Sequence, residues 1–218
     1  MLSHAEENYL KAIYHLSQAD KSDVSTNAIA EVLQTKPASV SDMIKKLSDK
    51  GFIHYQKYKG VNVSQKGRKE ALQIIRKHRL WEVFLVDKLQ FKWDEVHEIA
   101  EQLEHIKSSI LTQKLDKFLG YPRIDPHGDP IPDERGEIVL GKKSPLSEIF
   151  EGKKVLVTGV DDSDSEFLTH LDKINIALGT KIVVKEKNSF DGSMQIELPS
   201  QKLIFISKQV ADNLLVTE

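Results

Sequence analysis

Four residues in one short stretch carry cation-binding chemistry. His97, Glu101 and His105 recur every four residues, and Glu104 follows Glu101 by three. The stretch 94–105 holds no Gly, Pro, Lys or Arg. Its apolar residues Val96, Ile99, Ala100 and Leu103 are spaced by three and four, which predicts a helix with one buried stripe. Helical neighbours three and four apart share a face, so one flank would present imidazoles and carboxylates together. Nitrogen and oxygen donors gathered this way suit a divalent first-row metal. The plain alternative is a solvated acidic face with incidental histidines. The density of ligand types on one face favours the metal.

Other elements must hold that helix. Residues 67–89 read as a long helix, with Ala71, Leu72, Ile75, Leu80, Val83, Phe84 and Leu85 inward and His78 and Glu82 one turn apart. Residues 106–119 either continue the 94–105 helix across a kink or form a separate one. This helical middle is too apolar for a monomeric linker and is expected to dimerise the chain. Upstream, 4–18 is helical, with Ser3 and Glu6 forming a capping box. Thr26 is expected to cap a second helix over 27–33. Pro37 opens a third, which runs to Lys50 and is ended by Gly51. Strands over 52–55 and 61–64 follow, joined by a basic turn. The order is that of a winged helix-turn-helix. Ala38, Ser39, Ser41 and Asp42 would be offered to base edges, with Lys36, Lys45, Lys46, Lys57 and Lys59 meeting phosphates. The alternative is a small helical domain with a solvated basic face.

The charge distribution agrees with that division. The net charge of the 218 residues is −2, but Glu31 to Lys69 holds nine Lys or Arg against three acids. No Cys is present, which excludes disulfides and thiolate metal sites. No apolar run is long enough to span a membrane, and a cytoplasmic location is expected. Pro122, Pro126, Pro130 and Pro132 mark irregular chain between 120 and 143. Strand patterns then appear at 155–160, 182–187, 194–198 and 203–207, with helices near 164–173 and 209–214. The expectation is a mainly α chain with a small β domain: residues 1–70 for DNA, 71–140 for metal and dimerisation, and 141–218 as a small β-barrel.

The chain resembles the diphtheria toxin repressor and manganese transport regulator family of metal-dependent repressors. The resemblance is carried by Glu-Glu-Asn-Tyr-Leu-Lys-Ala-Ile-Tyr (6–14), Ser-Val-Ser-Asp-Met-Ile-Lys-Lys-Leu (39–47), Lys-His-Arg-Leu-Trp-Glu-Val-Phe-Leu (77–85), the 96–105 stretch and Pro-His-Gly-Asp-Pro-Ile-Pro (126–132). It implies that the last domain is an SH3-like, FeoA-type barrel. It also implies two metal positions per subunit. Glu101, Glu104 and His105 match the primary ligands, completed from the first helix at Asn8, where the family has Met or Asp. His78, Glu82 and His97 match the second position, with Glu166 the candidate from the last domain, Asp164 behind it, and Arg79 a candidate anion holder. Lys11 stands where short manganese regulators have a ligating Glu, which argues for separated rather than bridged metals. The all-oxygen-and-imidazole set leans to Mn²⁺, with Fe²⁺ the alternative.

The function so implied is a homodimeric repressor that binds palindromic operators of metal-uptake genes when metal is bound. A metalloenzyme and a metal-independent DNA-binding protein are the competing classes. No nucleophile or general base stands apart from the ligands, so no enzymatic activity is expected. His15 and His54 fall in the DNA-binding domain and are expected to be surface or satisfied residues, and His4, His127 and His170 lack partners at ligand spacing and are expected to be bystanders.

Overall fold

A computed structural model describes residues 2–19, 23–56, 59–139, 141–161 and 163–218. Contacts divide the chain into two units. One is Met1–His78 with Glu101–Ser109 and Pro132–Ile138. The other is Arg79–Ala100 with Ile110–Ile131 and Val139–Glu218.

The first unit begins with α1 (His4–Ala19), α2 (Thr26–Val32) and α3 (Pro37–Asp49). The Ser3–Glu6 capping box forms as expected: Ser3 N–H donates to Glu6 at 2.8 Å, and Ser3 Oγ accepts from Glu6 N–H at 3.3 Å. The cap of α2 is Ser25 rather than Thr26, because Ser25 is the extended residue whose hydroxyl reaches the Ala28 N–H. Strands β1 (Ile53–Gln56) and β2 (Gly60–Val63) pair antiparallel. Leu10, Ile13, Ile29, Val40, Ile44, Leu47, Ile53, Val61 and Leu72 form one buried core. A fully buried aliphatic of this kind contributes about 1.5–3 kcal/mol. That burial fixes the rotation of α3, since Val40, Ile44 and Leu47 can face inward in only one setting. The helix α4 (Gln65–Leu89) starts at Ser64, whose hydroxyl accepts from Gly67 N–H and donates to the Gly51 carbonyl.

The expected helix over 94–105 is shorter in the structure. Only α5 (His97–Leu103) is helical, and α6 (Ser109–Phe118) is separate. The chain tightens after Leu103, whose carbonyl accepts from Ile106 N–H at 3.1 Å. Glu104 and His105 therefore leave the helical face before it can align them with His97.

In the second unit Leu80, Val83, Leu115 and Ile131 form one apolar cluster, and Leu85, Val96 and Ala100 another. The C-terminal sheet comprises β3 (Ser144–Pro145), β4 (Lys154–Val160), β5 (Lys181–Lys187), β6 (Met194–Glu197), β7 (Leu203–Ile206) and β8 (Leu214–Thr217). Helices α7 (Ser165–Lys173) and α8 (Lys208–Asn213) accompany it. The strand order is β3-β8-β4-β5-β6-β7, antiparallel throughout. The expected barrel is not closed, and β3 and β7 are edges. Closure would need a ladder on β3, which has two residues, one of them a proline without an N–H. Among the described residues no helix is long and apolar enough to cross a membrane.

The proline-rich segment is ordered against this sheet. Asp125 Oδ1 accepts the N–H groups of His127 and Asp129, and Gly128 N–H closes the turn on the Asp125 carbonyl. Val160 N–H then donates to the His127 carbonyl at 3.0 Å. Gly128 has φ +88°, and a Cβ there would lie 2.2 Å from the Thr158 carbonyl oxygen. Gly128→Ala is therefore expected to cost about 2–4 kcal/mol, from strain and displaced backbone together. Urea unfolding measures it, and an unchanged midpoint would mean that the segment is not held against β4.

Candidate metal centres and nucleic-acid face

The first centre lies where α1 meets the turn after α5. Glu104 is fully buried. Its Oε2 accepts from His78 Nδ1 at 2.7 Å, and Lys11 Nζ stands 2.8 and 2.9 Å from its two oxygens. The same ammonium is 2.5 Å from Glu101 Oε1. Burial pushes the Glu104 carboxyl up, but the His78 hydrogen bond and the Lys11 charge outweigh it and hold the group below the ordinary glutamate value. His105 Nδ1 lies 2.6 Å from Glu7 Oε2. A carboxylate accepts, so Nδ1 carries the hydrogen and Nε2 is left for ligation. That Nε2 is 4.0 Å from Glu104 Oε1. Asn8 Oδ1 is buried with no hydrogen-bond partner. An orphaned amide oxygen, two carboxylates and an imidazole nitrogen are a donor set that a hard divalent cation fits.

Sequence spacing missed Glu7, which is buried against His105 and fixes its tautomer. It also discounted His4, whose ring stacks on His105 with centroids 4.5 Å apart. Nothing in spacing pairs α1 with residue 105. Glu7 is, however, an acid one residue before Asn8 on a helix expected to face the site.

The second centre is built around Glu82, which is buried. His97 Nδ1 lies 3.5 Å from one of its oxygens and His127 Nδ1 3.7 Å from the other. Glu82, Asp125 and His127 bring ligand atoms within 4.8 Å of one another. Donors at about 2.1 Å from a shared ion stand roughly 3–4 Å apart, so this cluster also fits a divalent cation. His127 Nε2 is 2.8 Å from the Trp93 carbonyl, which leaves Nδ1 facing Glu82. Burial pushes the His127 pKa down, but Glu82, Asp125 and the Trp93 carbonyl together raise it. His127 thus has the partners that its sequence spacing denied it.

Asp125 is pushed up to about 7, by burial first and then by Glu82 and Asp129, against the opposing Arg79. Arg79 donates to the Pro130 carbonyl at 2.5 Å and to Asp129 at 2.9 Å, and its Nε lies 3.4 Å from Asp125. The anions on Arg79 are thus the chain's own. Glu166 sits exposed in the first turn of α7, where its N–H donates to Asp164. Among the described residues it is not part of the Glu82 cluster, which Asp125 and His127 enter instead. The backbone turn at 125–129 brings these two in, and a periodic reading of helices does not reach it.

Lys36 at the N-cap of α3, and Ala38, Ser39, Ser41, Asp42, Lys45 and Lys46 along it, are all exposed. This follows from the burial of Val40, Ile44 and Leu47 on the opposite side. Lys59 is exposed beside β2, and Lys57 lies outside the described residues.

Residues 1–61 match the iron-dependent repressor N-terminal DNA-binding domain. Residues 64–133 match the iron-dependent repressor metal-binding and dimerisation domain, and 144–218 match the FeoA domain. The iron-dependent repressor IdeR of Mycobacterium leprae is 28% identical over 94% of this chain and 93% of its own length. A manganese-dependent transcriptional repressor solved in complex with manganese is 31% identical, with a TM-score of 0.89 over 98% of this chain and 99% of that one. ScaR with bound Cd²⁺ is 30% identical, with a TM-score of 0.82 over 98% and 99%.

The raised Asp125 sets a stability expectation. Its folded pKa lies above the unfolded value, so the folded chain binds the extra proton and metal-free stability falls as pH rises from about 4 to 7. Asp125→Asn keeps the acceptor for the turn and removes the charge. In chelator at pH 8 it is expected to be more stable than the parent by about 1–2 kcal/mol, with the gap closing at pH 5. Urea midpoints at the two pH values measure this, and a variant less stable at pH 8 would contradict it.

Proposed function

Because the chain belongs to the iron-dependent repressor family of metal-dependent transcriptional repressors, we propose that it represses metal-uptake genes in response to Mn²⁺, with Fe²⁺ the second candidate. The observation that carries this is the donor set at α1: Asn8 with its orphaned oxygen, Glu101, Glu104 and His105. It contains oxygen and nitrogen only, which suits Mn²⁺ better than a softer ion. Asn8, Glu101, Glu104 and His105 are proposed as ligands of the regulatory metal. Glu82, His97, Asp125 and His127 are proposed for a second metal. Held by these residues, the cation would supply positive charge between α1 and the turn at 104–105.

The residues translate that link into DNA affinity through α1. Leu10 and Ile13 pack in the same core as Val40, Ile44 and Leu47, so the setting of α1 is passed to α3. Glu7 orients His105. The α3 side chains Ala38, Ser39, Ser41 and Asp42 are proposed to face base edges, and Lys36, Lys45, Lys46, Lys57 and Lys59 phosphates, as a winged helix-turn-helix. Exposed Leu89, Phe91, Ile110, Phe118 and Tyr121 are the apolar surface proposed for a homodimer. Two recognition helices about 34 Å apart would then read a palindrome.

Fluorescence anisotropy on a duplex selected from a random pool in Mn²⁺ tests the reading. Affinity is expected to fall by about 10- to 100-fold in chelator. Glu104→Gln is expected to bind equally weakly in both. Equal affinity of the parent chain in Mn²⁺ and in chelator would sink the proposal.

A further inference from the structure

The α1 face that carries Asn8 also carries a cation of its own. Lys11 lies one turn further along the helix, with its side chain 14% exposed. Its ammonium contacts three carboxylate oxygens, one on Glu101 and both on Glu104. These two residues are half of the ligand set proposed above, and the inference rests on that assignment. A surface lysine would gain little from such a pair, because solvent screens exposed ion pairs. Here Glu104 is fully buried, and leaving it without a cation is costly.

We infer that Lys11 is a tethered counter-cation that competes with the regulatory metal for Glu101 and Glu104 and so sets the metal concentration at which the repressor responds. An oxygen that accepts from the ammonium has that lone pair directed at Nζ and not at a shared ion. Lys11 must therefore release carboxylate oxygens before Glu101 and Glu104 can turn to a common divalent cation. Without metal, Lys11 keeps the two carboxylates from repelling each other and holds α1 to the turn after α5. Affinity for the metal is the difference between two occupied states, not between a filled and an empty site. A purely structural salt bridge has the opposite signature, because its removal loosens the ligands and weakens metal binding.

The test uses the full chain, stripped with chelator and titrated with Mn²⁺ by calorimetry, with melting of the stripped chain measured alongside. Lys11→Met keeps the length and removes the charge. It is expected to bind Mn²⁺ at least about 10-fold more tightly, in line with the loss of charged hydrogen bonds from the metal-free state. The stripped variant is expected to melt several degrees lower. Lys11→Arg keeps the charge and is expected to stay within about 3-fold of the parent affinity. Mn²⁺ affinity unchanged or weakened in Lys11→Met overturns the inference while leaving the ligand assignment standing. Failure of the parent chain to bind Mn²⁺ overturns both. A second measurement needs no variant: the Lys11 ammonium signal in lysine-selective NMR is expected in the stripped chain and lost on saturation with diamagnetic Cd²⁺. Its persistence in the saturated chain overturns the displacement.

Discussion

Glu104 is a carboxylate with no access to solvent, and much of the first unit is arranged around that fact. A buried, unpaired carboxylate costs several kcal/mol, so the chain must bring positive charge or hydrogen-bond donors to it. It brings both. His78 reaches it from α4 and Lys11 from α1. The two helices are distant in sequence from the turn at 104–105, so the carboxylate acts as a fixed point where three segments meet. The same α1 that sends Lys11 to it also packs through Leu10 and Ile13 on the core that sets α3. A change in what neutralises Glu104 is therefore a change felt by the helix that carries Ser39 and Ser41. The physical route from Glu104 to the core under α3 is one helix long.

Much of that route was legible in the sequence. The inward set Val40, Ile44 and Leu47 follows from a 3.6-residue period, and the exposure of Lys36, Ala38, Ser39, Ser41, Asp42, Lys45 and Lys46 follows from it by geometry. The capping box at Ser3 and the stop at Gly51 follow from local backbone demands. What failed was the extension of periodicity beyond its range. Residues 94–105 are expected from the sequence to form one helix, but Glu104 and His105 lie beyond its end and meet Lys11, His78 and Glu7. Glu7, Asp125 and His127 were not legible as site residues because their partners are 98, 43 and 45 positions away along the chain. Barrel closure was not legible either, since it turns on how few residues β3 offers for pairing.

The proline-rich segment shows the same limit from the other side. Its composition marks it as irregular, and composition does not say what holds it. In the structure it is a tight turn whose Asp125 side chain accepts two backbone N–H groups and whose His127 carbonyl is bound by β4. The prolines limit the conformations that the segment must give up on ordering, which lowers the entropic cost of holding two ligand-type side chains in place. A regular helix would have spaced Asp125 and His127 two apart on different faces. The turn lets both reach Glu82.

The two centres hold similar donors but handle their negative charge in different ways. At Glu104 a tethered ammonium makes direct contact with the carboxylates, and the carboxyl stays ionised, below its ordinary pKa. At the second centre Arg79 is turned mainly to Asp129 and the Pro130 carbonyl and stands 3.4 Å from Asp125. The compensation is incomplete, and Asp125 is pushed up to about 7. At the first centre the charge set against the carboxylates is a side chain, whereas at the second the excess negative charge raises the Asp125 carboxyl instead. Lys11 shares α1 with Leu10 and Ile13, which pack in the core under α3. The first centre is thus joined through α1 to the core under α3, and the second through its side chains to the 125–129 turn.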